Sequence, residues 1–146
     1  MDNRPTIALI GAGRAGKVIG IALANAGYQV MAVASRTRSS ADAVAKVIRE
    51  AGAVDCLSTA IQAAATCADL VLITVPDGVI AEVAGNVRWK QGQRVVHCSG
   101  ALGSDALDQA CDQGSETGSW HPFQTLTGTA KLEGVTFGIE ASADLY

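Results

Sequence analysis

The chain has 146 residues, enough for one domain with a substantial core but not two. Hydrophobic residues make up 49% of it and aromatics only 4%, so the core is built from Ala, Val, Ile and Leu, as in helices laid on a buried parallel sheet. A net charge of −3 offers no basic stripe to nucleic acid, and no apolar run approaches the roughly 20 residues that cross a bilayer. Neither nucleic acid nor a membrane is therefore an expected partner. No signal-like apolar region follows Met1 to Pro5, and a cytoplasmic location is the expectation.

In chain order, the run Thr6 to Ile10 predicts a strand that stops at Gly11. A helix follows, with Ala15, Val18, Ile19, Ala22, Leu23 and Ala26 on one apolar stripe and Gly27 as its stop. Gln29 to Ser35 predicts a second strand buried on both faces. Ser39 or Ser40 is placed to cap a second helix, which Gly52 ends. Val54 to Cys56 reads as a short third strand, Thr59 to Thr66 as a helical turn or two, and Leu70 to Val75 as a fourth strand ended by Pro76-Asp77-Gly78. A short helix around Val79 to Ala84, a strand at Arg94 to Cys98 and a helix from Ser104 to Cys111 come next. Strands near Thr117 to Trp120 and Val135 to Ile139 complete the pattern. Strict alternation predicts an α/β fold with a doubly wound, mostly parallel sheet. The cysteines Cys56, Cys67, Cys98 and Cys111 lack C-x-x-C spacing, so no metal site is expected and all four read as buried or partly buried free thiols.

The pattern G-x-G-x-x-G falls at Gly11, Gly13 and Gly16, between the first strand and its helix. In that context it is built to hold a dinucleotide pyrophosphate on a helix N-terminus, with Arg14 and Ala15 inside the turn. Gly11 permits the tight turn, Gly13 the approach of backbone to phosphate, and Gly16 close packing of helix on strand. A carboxylate about 20 residues on would accept the ribose 2′-hydroxyl of NAD. Here the second strand instead runs out into Ser35, Arg36, Thr37 and Arg38. Guanidinium pairs with a 2′-phosphate that a carboxylate would repel, so NADP(H) is the expected cofactor. Ser35 and Arg36 would meet the phosphate, with Arg38 as a helper. Val75 and Pro76, at the fourth strand's exit, should line the same crevice. Asp77 reads as a helix cap at least as readily as a catalytic group.

Both histidines sit at the ends of predicted strands, His97 beside Ser99 and His121 before Pro122. In a parallel sheet both ends face the crevice that holds the nicotinamide. Hydride transfer to a carbonyl needs a proton donor, and imidazole suits that work. His121 is the candidate acid/base, with Ser99 and His97 as candidate substrate contacts. No G-x-S-x-G elbow supports a serine hydrolase.

Four segments in this order carry a resemblance along nearly all of the chain: Gly11 to Gly16, Val75-Pro76-Asp77, His97 to Gly103, and His121-Pro122. Together they resemble a bacterial family provisionally classed as oxidoreductases. Its members join a Rossmann-like N-terminal domain to a C-terminal helical domain of unknown function. The resemblance implies NADP-type binding and no agreed substrate. More distantly, the layout is similar to prephenate dehydrogenase, where a serine motif and a later His-Pro motif place a serine and a catalytic histidine beside the nicotinamide. That implies Ser99 and His121 as the reacting pair. Phe123-Gln124 replaces that enzyme's small glycine-containing turn, which puts prephenate itself in doubt.

Pyrroline-5-carboxylate reductases and the 6-phosphogluconate/β-hydroxyacid dehydrogenase group share the glycine turn. In them a helical second domain completes the substrate pocket and usually the dimer. By resemblance, residues 1–146 are an NADP-binding domain, and a homodimer is expected where the second domain is present. Glu140 to Tyr146 reads as a strand exit and helix cap, so the native protein is expected to continue. The resulting expectation is an NADP(H)-dependent oxidoreductase, or its cofactor domain, acting on a small carbonyl, imine or hydroxy acid. The alternative is a non-catalytic NADP-binding sensor or scaffold. A methyltransferase is disfavoured, because the usual acidic residue for the ribose hydroxyls is missing after the second strand, where Arg36 stands with no anionic group of that ribose to meet.

Overall fold

The first strand, β1 (Ile7–Ile10), is buried along its whole length, as an apolar run must be when both faces of a sheet are covered. The computed structural model describes residues 3–127, 131–142 and 145. After β1 come α1 (Arg14–Asn25), β2 (Val30–Ala34), α2 (Arg38–Glu50), β3 (Leu57–Thr59) and α3 (Ile61–Thr66). The rest is β4 (Leu70–Ile73), α4 (Asp77–Asn86), β5 (Arg94–His97), a 3-10 turn (Ser104–Leu107), α5 (Asp108–Asp112), β6 (Glu116–Pro122) and β7 (Phe137–Ala141). The strands form one sheet in the order β3-β2-β1-β4-β5-β6-β7. β1 to β6 run parallel, and β7 closes the edge antiparallel to β6.

Alternate strand residues feed two cores. Ile7, Leu9, Val33 and Leu72 pack with Ile19 of α1 and Val44 and Ile48 of α2. Ile10, Val71, Ile73 and Val95 pack on the other face with Ala65 of α3, Ile80 and Val83 of α4, and Ala110 of α5. Each fully buried Ile, Leu or Val contributes about 1.5–3 kcal/mol of transfer free energy. The chain winds outward from β1 through β2 to β3, then returns to lay β4 on the other side of β1. The carboxyl ends of β1 and β4 therefore part into a crevice at the point where the winding reverses.

Three sequence expectations are corrected. The third strand forms at Leu57–Thr59, not at Val54 to Cys56. The Cys56 amide instead closes a turn on the Ala53 carbonyl at 3.0 Å, which buries Ala53 and Cys56 while Val54 stays 71% exposed. Neither Ser39 nor Ser40 caps α2: the cap position is Thr37, with no side-chain bond, and both serines lie inside the helix. Cys67 and Cys111 are exposed rather than buried. Of the expected strand exit and cap at 140–146, residues 140 and 141 end β7, while 143, 144 and 146 lie outside the described residues. Among the described residues no helix is long and apolar enough to cross a membrane.

Candidate functional site

The glycine turn is locked to the exit of β4. Gly11 has φ +122°, and a Cβ there would lie 2.6 Å from the Thr74 carbonyl carbon and oxygen, so only glycine fits. Its amide donates to the Ala34 carbonyl at 2.8 Å. Its carbonyl accepts the Thr74 hydroxyl at 2.9 Å. A Cβ on Gly16 would strike the Gly11 carbonyl, which holds α1 tight against the turn. Gly13 is the opposite case: nothing stands within 4 Å of a Cβ built on it. It occupies the cap position of α1 with no capping side chain, and no acidic residue follows in the first turn. The amides of Arg14, Ala15 and Gly16 have no acceptor within the helix. With the helix dipole behind them, these donors form an open cradle for an anion.

The cradle opens on a cleft of about 590 Å³ along the parted strands. Gly11, Gly13, Ser35, Arg36, Val75 and Pro76 all line it. Arg14, Ala15 and Gly16 form the helix turn beside it. At the exit of β2, the Ser35 hydroxyl accepts the Thr37 amide at 3.4 Å. The exposed Arg36 guanidinium makes no hydrogen bond or ion pair among the described residues. The Arg38 Nε pairs with Asp42 at 3.2 Å, one turn on along α2, and Arg38 is not among the residues lining the cleft. Thr37 and Ser40 do line it. Sequence reading passed over both, weighing Ser40 only as a helix cap. Among the described residues that line the cleft, the carboxylate is Glu82 on α4, away from the β2 exit. Helix amides, hydroxyls and a guanidinium with no partner among the described residues thus face one cleft, a donor set suited to an anionic ligand.

The polar cluster lies at the neighbouring strand ends. Ile73 of β4 pairs with His97 of β5, and His97 with Ser119 of β6. His121 extends its ring from β6 toward the loop after β5. Its Nδ1 donates to the Cys98 carbonyl at 3.4 Å, and its Nε2 is the atom nearest a Cβ built on Gly100. Phe123 meets the same ring edge-on, with centroids 5.2 Å apart. Ser99 is buried, and its hydroxyl oxygen accepts the amides of Ala101 and Leu102 at 3.1 and 3.3 Å. His97 is placed differently. It is fully buried with both ring nitrogens bonded to backbone, Nδ1 at 3.1 Å from the Ser99 amide and Nε2 at 2.8 Å from the Gly103 carbonyl. Its ring is enclosed by the loop 99–103, to which both nitrogens bond. Burial pushes the Cys98 thiol up to about 12, so it stays a neutral packing group.

Glu140 was also missed. From β7 its carboxylate accepts the Ser104 amide at 3.2 Å and the Ser104 hydroxyl at 2.6 Å. These bonds hold it below the ordinary glutamate range, the hydroxyl contributing most.

Solved structures share this architecture. A Bacteroides fragilis protein provisionally assigned as an NADP oxidoreductase superimposes with TM-score 0.80 and 24% identity, over 95% of this chain and 52% of that one. A pyrroline-5-carboxylate reductase from Coxiella burnetii gives 0.73 and 18%, over 97% and 51%. A reductive aminase from Aspergillus terreus, solved with NADPH and ethyl-5-oxohexanoate, gives 0.66 and 16%, over 84% and 42%. The chain thus spans about half the length of these structures. No curated protein matches the sequence. Residues 1–122 match the Rossmann-like domain, and the chain belongs to that family.

Proposed function

We propose that the chain binds NADP(H) and serves hydride transfer between that cofactor and a small carbonyl, imine or hydroxy acid. One observation carries the reading: Ser35 and Arg36 open on the same cleft as the bare Gly13 turn, and among the described residues Arg36 has no ion-pair partner and no carboxylate lines the β2 exit. The pyrophosphate would rest on the amides of residues 14–16 and the 2′-phosphate on Ser35 and Arg36. The cofactor supplies the hydride. Because the Cys98 carbonyl can only accept, Nδ1 of His121 holds a proton and Nε2 is the nitrogen left to exchange one with substrate. In reduction the protonated ring donates from Nε2 to the substrate oxygen or nitrogen. In oxidation the neutral ring takes that proton back. The Ser99 hydroxyl donates a hydrogen bond to the same atom.

Fluorescence titration tests the cofactor. NADPH should bind at least about tenfold tighter than NADH, and Arg36→Ala should erase most of the difference, since a charge-assisted bond contributes about 1.5–3 kcal/mol. Equal binding, or tighter NADH binding, rejects the assignment. Ethyl levulinate, cyclohexanone with allylamine, and 1-pyrroline-5-carboxylate form a first substrate panel. His121→Ala should abolish turnover with NADPH affinity kept within about twofold. Tight NADPH binding with no oxidation by any carbonyl or imine would instead favour a cofactor-sensing module.

A further inference from the structure

His97 closes β5 with an imidazole in place of the valines before it, fully buried between sheet and loop. The two partners of its ring dictate one tautomer. The Ser99 amide can only donate, so Nδ1 carries a lone pair; the Gly103 carbonyl can only accept, so Nε2 carries the proton. One neutral ring thereby ties both ends of the loop 99–103. Within that loop the amides of Ala101 and Leu102 occupy the acceptor side of the Ser99 oxygen. With both lone pairs engaged, the hydroxyl proton is directed away from the loop backbone and remains available to donate. The loop also carries Gly100, the residue beneath the His121 ring. The opposite edge of the loop is tied by Ser104 to Glu140.

From this geometry we propose that His97 is the positioning residue of the site. It acts through the loop to hold the Ser99 hydroxyl as an outward donor and Gly100 as the floor under His121, without touching substrate. The inference rests on the reading of Ser99 and His121 as substrate contacts. It adds a residue whose tautomer, opposite to that of His121, is part of the arrangement. A buried histidine that merely fills space would have no such dependence on one acceptor and one donor.

The test separates this claim from the function on which it rests. Nitrogen-15 NMR of the free wild-type protein at neutral pH should show His97 protonated at Nε2 and bare at Nδ1, with a slowly exchanging Ser99 amide. His97→Asn keeps an acceptor at the Nδ1 position, and His97→Leu removes both polar atoms. With whichever panel substrate the wild type reduces, His97→Leu should lower kcat by about 10–100-fold at nearly constant KM, as misplacement by about an ångström does. NADPH affinity should hold within about twofold, and His97→Asn should recover kcat to within about threefold of wild type. An Nδ1-protonated ring, or a Ser99 amide exchanging equally fast in wild type and His97→Leu, overturns the proposal. So does a His97→Leu protein with wild-type kcat, or a His97→Asn protein as impaired as His97→Leu. If His97→Leu does not fold, the wild-type tautomer and the His97→Asn amide exchange decide. A wild type that binds no NADPH sinks the functional reading instead, and is seen independently of the NMR result.

Discussion

Gly11 and Gly13 stand two residues apart and are needed for different reasons. Gly11 has a positive φ and abuts the Thr74 carbonyl, so Gly11→Ala combines backbone strain with a clash. Urea unfolding should show a loss of about 2 kcal/mol or more. Gly13 has φ −84° and empty space around it, so Gly13→Ala should unfold within about 1 kcal/mol of wild type. On the proposed binding mode the same methyl would stand in the path of the pyrophosphate, and NADPH affinity should fall at least about tenfold. A Gly13→Ala protein that binds NADPH normally would remove the glycine turn from the binding site. Thr74 belongs with this pair, because its hydroxyl holds the Gly11 carbonyl. Nothing in the sequence marks that threonine, since its importance comes from a bond 63 residues away.

Among the elements, β7 does more than end the sheet. Through Glu140 it ties down the 3-10 turn at Ser104. That carboxyl is held below the ordinary glutamate range in the folded chain. Its contribution is therefore complete above the unfolded value of about 4.3 and is lost as pH falls through the lower, folded one. Thermal melts should show wild type above Glu140→Ala at about pH 6, with the gap closing toward about pH 3. A gap that persists in acid would show that the tie does not depend on charge. Elements with a full period were readable from sequence: the α1 stripe and the apolar runs of β1, β2 and β4 appear within a residue or two of their expected ends. β3 was misplaced because a three-residue edge strand is chosen by its partner, here Ala32–Ala34 of β2, not by its own composition. The site divides the same way. Gly11, Gly13 and Arg36 are local signals. The pairing of Arg38 with Asp42 is also local, an i,i+4 contact on α2, whereas the double engagement of His97 depends on how the loop after β5 bends back over the ring.

For the whole molecule, the cleft lies where the two windings of the sheet diverge, so a ligand there touches β1, β2 and β4 together. Binding should stabilise the fold as a unit. NADPH at 100 times its Kd adds about 2.7 kcal/mol, which is roughly a 5–10 °C rise in Tm for a chain of this size. NADH at the same concentration should raise Tm less, and equal shifts would count against the 2′-phosphate contact. The thiols give the fold a clock of its own. Cys67 and Cys111 are exposed and Cys56 is buried, while Cys98 beside Ser99 is held at about 12 by burial. A chromogenic disulfide reagent should therefore be consumed in two phases, Cys67 and Cys111 first. In a Cys56→Ser background, where Cys98 is the slow thiol left, the late phase should track the rate at which the loop beyond β5 breathes open, timing the motion of the candidate site without any added label.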